Sequence, residues 1–202
     1  MPTLFIARHG NTFAPNETPR RIGRRTDLAL VDSGRAQAAA LGTYFTEHQI
    51  AFDKIYSAPL KRTRETADAI AALAPRPVGV TIEPALLEID YGPDENQPEA
   101  TVIARIGADA LEAWNAMSVP PPGWDVDVDA LIAGWRSLFA QVRETGPDAA
   151  VLAVTSNGVA RFALDAASDI AVDAPKKLRT GAFGRMDISD AGAVVAAWNV
   201  RP

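Results

Sequence analysis

At 202 residues, 48% apolar and 22% charged, the chain can bury one well-formed core and is too short for two large domains. It contains no cysteine, which excludes disulfides, zinc-thiolate centres and a cysteine nucleophile, and fits a reducing compartment. A net charge of −5 argues against a general nucleic-acid binder, and the absence of a leader-like start or a long apolar run points to a cytosolic protein without membrane contact.

Thr3-Leu4-Phe5-Ile6-Ala7 is an apolar run that reads as a buried strand, and Arg8, His9 and Gly10 stand directly at its carboxyl end. In open α/β sheets, ligands bind at that edge. Arg8 offers a planar fork suited to phosphate oxygens, and His9 can serve as nucleophile, base or metal ligand. Gly10 lets the backbone turn sharply and come close to an anion. From Arg8 to Arg25 the chain carries Arg8, Arg20, Arg21, Arg24 and Arg25 against Glu17 alone. In an acidic protein this suggests a region arranged for a small anion, with Arg20, Arg24 and Arg25 individually expected in solvent.

Ser33 is placed to cap a helix running to about His48, with Ala38, Leu41 and Phe45 on one face and His48 structural at its end. Lys54 to Ser57 reads as a second strand, and Pro59 opens a helix to about Leu73 that carries Arg62 in its first turn. Val78 to Ile82 and Leu86 to Glu88 read as extended, and Tyr91 to Pro98 as a loop. Helical pattern returns from about Glu99 to Ala116 until Pro120-Pro121-Pro122-Gly123 breaks it. These segments suggest a small helical lid inserted at about residues 91–127 in a single domain of residues 1–202.

Val128, Leu131, Ile132, Trp135, Leu138, Phe139 and Val142 form one apolar stripe, assigned to the core. Ala149 to Thr155 is a buried strand, Ser156-Asn157-Gly158 a turn, and Val159 to Leu164 a short helix. Ala182 to Ile188 and Ala193 to Val200 read as strands paired through the Asp190-Ala191-Gly192 turn. The alternation points to a three-layer α/β/α sandwich with a mostly parallel central sheet. One rim then gathers Arg8, His9, Ser57, Arg62, Glu88, Ser156 and Asn157.

Several chemistries are excluded. No GxGxxG, GxxxxGK[ST] or GxSxG pattern is present. His9 and His48 lack metal-ligand spacing, so neither a metal nor a cofactor is expected. Asp125-Val126-Asp127-Val128-Asp129 mimics an aspartate nucleophile but follows Pro122-Gly123-Trp124 and not a buried strand. As a calcium loop it has Ala130 and Arg136 where Gly and Glu are needed, so helix capping by Asp127 or Asp129 is the expected role.

Arg8-His9-Gly10-Asn11-Thr12 resembles the RHGxT signature of the histidine phosphatase superfamily, the phosphoglycerate-mutase-like proteins. Gly23 to Gly34 with Asp27, Ser57 to Ala67, and Leu87-Glu88 to Gly92 resemble its later blocks in the same order, so the likeness covers nearly the whole chain. It implies a phosphatase that hydrolyses a phosphate monoester through a phosphohistidine on His9. Arg8 and Arg62 would hold the phosphate oxygens. Glu88 would give the leaving oxygen a proton and later activate water, with Asp90 and Glu95 as nearby rivals. Asn11, Thr12 and the Gly158 amide would add donors to the phosphate.

The family usually places a second histidine where Asn157 stands. A carboxamide donates a hydrogen bond without a charge, implying a loss of about 1–2 kcal/mol, roughly ten- to thirtyfold in rate. Two alternatives remain beside the phosphatase: a phosphomutase, and a catalytically weak or silent binder of phosphorylated ligands. The expected partner is a small phosphate ester, with no nucleic acid and no membrane, and the sequence specifies no oligomeric state. Tyr91, Trp114 and Trp124 either cover the leaving group or pack the lid.

Overall fold

Apolar residues point to both faces of the first strand, and this decides the architecture. In the computed structural model, which describes residues 1–202, β1 (Thr3–Arg8) sends Leu4 and Ile6 into one core and Phe5 and Ala7 into another. Its neighbour β4 (Ala150–Thr155) does the same with Val151 and Ala153 against Leu152 and Val154. Strands apolar on both faces must be central and covered on both sides. On one side α1 (Asp32–Glu47) and α2 (Lys61–Ala72) supply Leu41, Phe45, Ala67 and Ile70. On the other, α5 (Val128–Thr145) supplies Trp135, Leu138 and Phe139, and α7 (Phe162–Ala166) supplies Phe162 and Ala163.

The remaining strands are β2 (Lys54–Ser57), β3 (Val80–Ile82), β5 (Asp169–Ile170), β6 (Phe183–Ser189) and β7 (Gly192–Val200). The seven-stranded sheet has the order β3-β2-β4-β1-β6-β7-β5. Its first four strands are parallel, β6 runs antiparallel to β1 and β7, and β5 lies parallel to β7. The expected three-layer, mostly parallel arrangement is therefore the observed one. No helix is long and apolar enough to cross a membrane.

Local expectations fail where tertiary contacts override them. Ser33 does not cap α1. Val31 holds the N-cap position without a side-chain bond, and Ser33 Oγ accepts from Asn11 Nδ2 at 3.3 Å. The helix expected from Glu99 to Ala116 is two, α3 (Glu99–Ile106) and α4 (Ala108–Met117), because Gly107 between them adopts φ 83°. Leu86, expected to open an extended stretch to Glu88, instead closes a 3₁₀ turn (Pro84–Leu86), and α6 (Asn157–Ala160) begins inside the expected turn. Asp127 caps α5, accepting from Ala130 N at 2.9 Å. His48 ends α1 with Nδ1 donating to Tyr44 O at 2.8 Å and its ring stacked on Tyr44 at 3.9 Å.

The site's place follows from the topology. β1 and β4 are adjacent, with Arg8 paired to Thr155 at their carboxyl ends. From β1 the chain turns to α1 on one face, and from β4 to α6 and α7 on the other. Diverging exits from neighbouring parallel strands open a crevice at their carboxyl edge.

Candidate active site

His9 is the first residue past β1, and its N–H donates to Thr155 O at 3.1 Å, tying it to the end of β4. The ring Nδ1 lies 2.7 Å from Gly10 O. A carbonyl can only accept, so Nδ1 carries the proton and Nε2 keeps its lone pair. His9 as a residue is 3% exposed. Burial, then the positive charges of Arg62 and Arg8, hold its pKa well below the ordinary imidazole range. The charges of both guanidiniums thus favour the neutral ring.

Arg62, in the first turn of α2, is completely buried. Its Nη1 donates to Thr26 O at 2.8 Å, Nη2 to Gly23 O at 3.1 Å and Nε to Ser156 Oγ at 3.4 Å. Asp27 accepts from Lys61 N at 2.6 Å and thereby aims that first turn. Thr66 donates to Arg62 O at 2.8 Å and accepts from Gly10 N at 3.2 Å, joining α2 to the histidine loop. Glu95, a rival acid in the sequence reading, is engaged in scaffolding. It accepts from Gly23 N at 2.8 Å and Thr26 Oγ1 at 2.7 Å, fixing the loop whose carbonyls hold Arg62. Asp90, the other rival, pairs with Arg25 at 3.0 Å and accepts from Gly92 N at 2.7 Å.

Glu88 is 4% exposed. Its Oε1 accepts from Ile89 N at 2.9 Å and its Oε2 from Gly158 N at 3.2 Å. Burial raises its pKa, against the pull of Arg62 and of those two amides. A Cβ on Gly158 would stand 2.2 Å from Glu88 Oε1, so only glycine admits the carboxyl there.

Two expected phosphate donors are thus occupied. The Gly158 N–H has a single proton and gives it to Glu88. The Asn11 carboxamide accepts from Thr180 Oγ1 at 2.7 Å and donates to Ser33, so both its ends serve the loop. Thr12 lies half-buried beside it. Asn157 Oδ1 accepts from Leu178 N at 2.8 Å, which leaves Nδ2 as its donor end. Arg8 Nη1 donates to Leu178 O at 2.8 Å, and its buried Nε has no partner within the protein. Ser57, expected on the rim, is buried and donates to Ala58 O at 2.8 Å.

Gly10 shows how closely the site is packed. A Cβ there would lie 2.2 Å from Gly34 O, backbone against backbone. Gly10→Ala is expected to cost about 1–3 kcal/mol, read as a shift in denaturant midpoint. Gly79→Ala, with nothing within 4 Å, should stay within about 0.5 kcal/mol.

Sequence reasoning missed the buried Arg161 and named Arg21, which is partly buried, only as part of the basic segment. Arg21 stacks 5.3 Å over Tyr91 and 4.9 Å over Trp124, and Arg161 4.1 Å over Trp114. Burial draws Arg161 down to about 10. An arginine inside the apolar run Val159 to Leu164 was the available signal. Tyr91, Trp114 and Trp124 are buried edge to face, at 4.7 and 5.2 Å between centroids, so they pack together. A separate cleft of about 690 Å³, lined by Phe5, Tyr44, His48 and Phe183 among others, lies at the opposite end of β1 and contains none of the clustered charges.

The family model described as histidine phosphatase superfamily, branch 1, matches residues 4–201. The chain belongs to this superfamily. The chain is 30% identical over 128 residues to the 2,3-bisphosphoglycerate-dependent phosphoglycerate mutase of Rhizobium etli, covering 61% of this chain and 59% of that one. It is 28% identical over 179 residues to phosphoglycerate mutase-like protein 4 of Arabidopsis thaliana, covering 88% of this chain and 76% of that one. The match thus spans less than two thirds of the Rhizobium mutase. A solved mycobacterial glucosyl-3-phosphoglycerate phosphatase superposes with a TM-score of 0.80 at 21% identity, covering 100% of both chains. At that identity the likeness speaks for the fold alone.

Proposed function

We propose that this histidine phosphatase hydrolyses a phosphate monoester through a phosphohistidine on His9. One observation carries the reading: the His9 ring is held by Nδ1 on Gly10 O so that Nε2 keeps its lone pair, and the charges of Arg62 and Arg8 act both on that ring and on a buried Glu88 whose pKa burial has raised. Arg8 and Arg62 take the oxygens of the incoming dianion in charge-assisted hydrogen bonds. The Nε2 lone pair bonds to phosphorus as the bond from phosphorus to the ester oxygen breaks, and that oxygen leaves with a proton from Glu88. Water then attacks phosphorus as the phosphorus–Nε2 bond breaks, and the Glu88 carboxylate takes the proton that the water loses. Inorganic phosphate departs and His9 is neutral again. Positioning and charge neutralisation supply most of the acceleration.

Rapid quenching during turnover tests this. The protein should gain the mass of one phosphoryl group on His9, labile in acid and stable in base as a phosphorus–nitrogen bond is. Hydrolysis without that adduct overturns the nucleophilic role.

The substrate class is a small phosphate ester, as the names of the relatives suggest. Residues 91–127 are assigned as the lid that covers its leaving group. Asp94 stitches this segment together, receiving a bidentate hydrogen bond from Arg105 and one from Trp124 Nε1 at 2.6 Å. Product analysis after incubation with a phosphoglycerate separates release of phosphate from a mutase reaction.

Asn157 offers a neutral donor where the family resemblance places a second histidine. Asn157→His is therefore expected to raise kcat/KM about ten- to thirtyfold, the reverse of a loss of about 1–2 kcal/mol. The same asparagine favours a second reading, a silent binder of phosphorylated ligands. That reading requires no turnover across a broad ester panel until the histidine is introduced.

A further inference from the structure

We infer that Asn199 is a positioning residue that holds the phosphate end of the site through a strap formed by residues 177–181. The inference rests on the assignment of Arg8 and Asn157 as phosphate donors, and it adds a residue that the sequence pattern placed only in a pairing strand. Between residues 171 and 180 only Leu178 is buried. So little apolar burial cannot fix a segment by itself, and its place depends on hydrogen bonds.

On its inner side the strap serves the site directly. Leu178 O accepts from Arg8 Nη1, and Leu178 N donates to Asn157 Oδ1, each at 2.8 Å. Thr180 donates to Asn11 Oδ1 at 2.7 Å, and Gly181 N reaches the carbonyls of Arg8 and His9 at 3.3 Å. A single residue, Leu178, thus orients both a guanidinium and a carboxamide of the proposed anion cup.

On its outer side Asn199 brackets Leu178. Its Nδ2 donates to Lys177 O and its Oδ1 accepts from Arg179 N, both at 2.8 Å. Trp198 Nε1 adds a bond to Pro175 O at 2.9 Å. In a regular strand these two neighbouring side chains would point to opposite faces. Here the register between β6 and β7 passes from Phe183↔Val200 to Arg185↔Ala197. Trp198 and Asn199 therefore oppose Gly184 alone, which is a β-bulge, and a bulge re-aims side chains. Asn199 adopts φ 59°, a left-handed conformation that asparagine tolerates. Gly184 makes room for the indole, since a Cβ there would meet the Trp198 ring at 2.1 Å.

Asn199→Gly tests the inference, because glycine keeps the left-handed backbone and removes both bonds to the strap. Asn199→Asp is the second variant, retaining the bond from Arg179 and losing the donor to Lys177. Two readouts are taken on the full chain: the side-chain amide resonances of Asn157 in the free protein, and inhibition of aryl phosphate hydrolysis by vanadate. Both variants should shift or broaden the Asn157 resonances. Both should weaken vanadate inhibition, about tenfold for the glycine variant. In a background that carries both Arg8→Ala and Asn157→Ala, direct vanadate binding should fall by less than a further twofold on adding Asn199→Gly, which a merely structural role would not produce. Unchanged Asn157 resonances, or vanadate inhibition within twofold of wild type in a folded variant, overturn the positioning role. If the wild type itself neither turns over esters nor binds vanadate, the proposed function fails instead, while the resonances still decide whether Asn199 sets the strap.

Discussion

Replacing His9 with alanine should lower kcat/KM for an aryl phosphate by at least about 10³-fold and remove the acid-labile phosphoprotein. The size follows from what is lost. Without Nε2 no bond to phosphorus forms, and the remaining guanidiniums can only bind the ester. The fold should survive, because the ring's hydrogen bond runs only to the carbonyl of the next residue and the main-chain tie to Thr155 is untouched. Circular dichroism and phosphate binding in the variant check that loss of turnover is not loss of structure. Turnover that persists in a folded His9→Ala protein would rule out the phosphohistidine route.

Glu88→Gln should cost about 10²–10⁴-fold in kcat/KM toward an alkyl phosphate and distinctly less toward a nitrophenyl phosphate. The asymmetry arises because a nitrophenolate leaves without help, whereas an alkoxide must be protonated. Glutamine keeps an oxygen to accept from Gly158 or Ile89, so the packing around this position is largely preserved. The pH profile adds an independent check. His9 reacts when neutral, and burial with two nearby cations has lowered its pKa. Activity should therefore persist as pH falls below the ordinary imidazole value of about 6.5, and decline only on approach to the lowered pKa. Glu88 gives its proton when protonated, and burial has raised its pKa. The alkaline limb should then lie above the ordinary carboxyl value of about 4.3, after correction for ionisation of the ester, and should vanish in Glu88→Gln. Equal losses on both esters with an unchanged alkaline limb would remove Glu88 from proton transfer.

The sequence was most informative where one stretch carries its own periodicity. β2 occupies Lys54–Ser57 as expected, and the apolar stripe on α5 faces the core because both patterns report burial of one face. Arg8, His9 and Arg62 were legible as ingredients, since they stand at the carboxyl end of β1 or in the first turn of α2, whereas Glu88, read at the end of an extended stretch, follows the 3₁₀ turn Pro84–Leu86. The sequence was least informative where a partner arrives from far along the chain. Ser33 was read as a cap and instead receives Asn11, and Glu95 was read as a rival acid and instead holds the loop behind Arg62. Strand β5 spans only Asp169–Ile170, too short for any periodicity to announce it.

By itself the sequence determined the layered, mostly parallel fold and the membership of the superfamily. Those depend on which residues are apolar and on motifs that survive without their surroundings. Only the tertiary structure decided which nitrogen of His9 keeps the proton, why Glu88 is harder to ionise, and that the Gly158 amide and the Asn11 carboxamide are already engaged. The physical reason is that a side chain brings its functional group but not its protonation state or its free valences. Desolvation and neighbouring charge set those, and both come into being only when Thr155, Gly158 and Leu178 are folded against the end of the first strand.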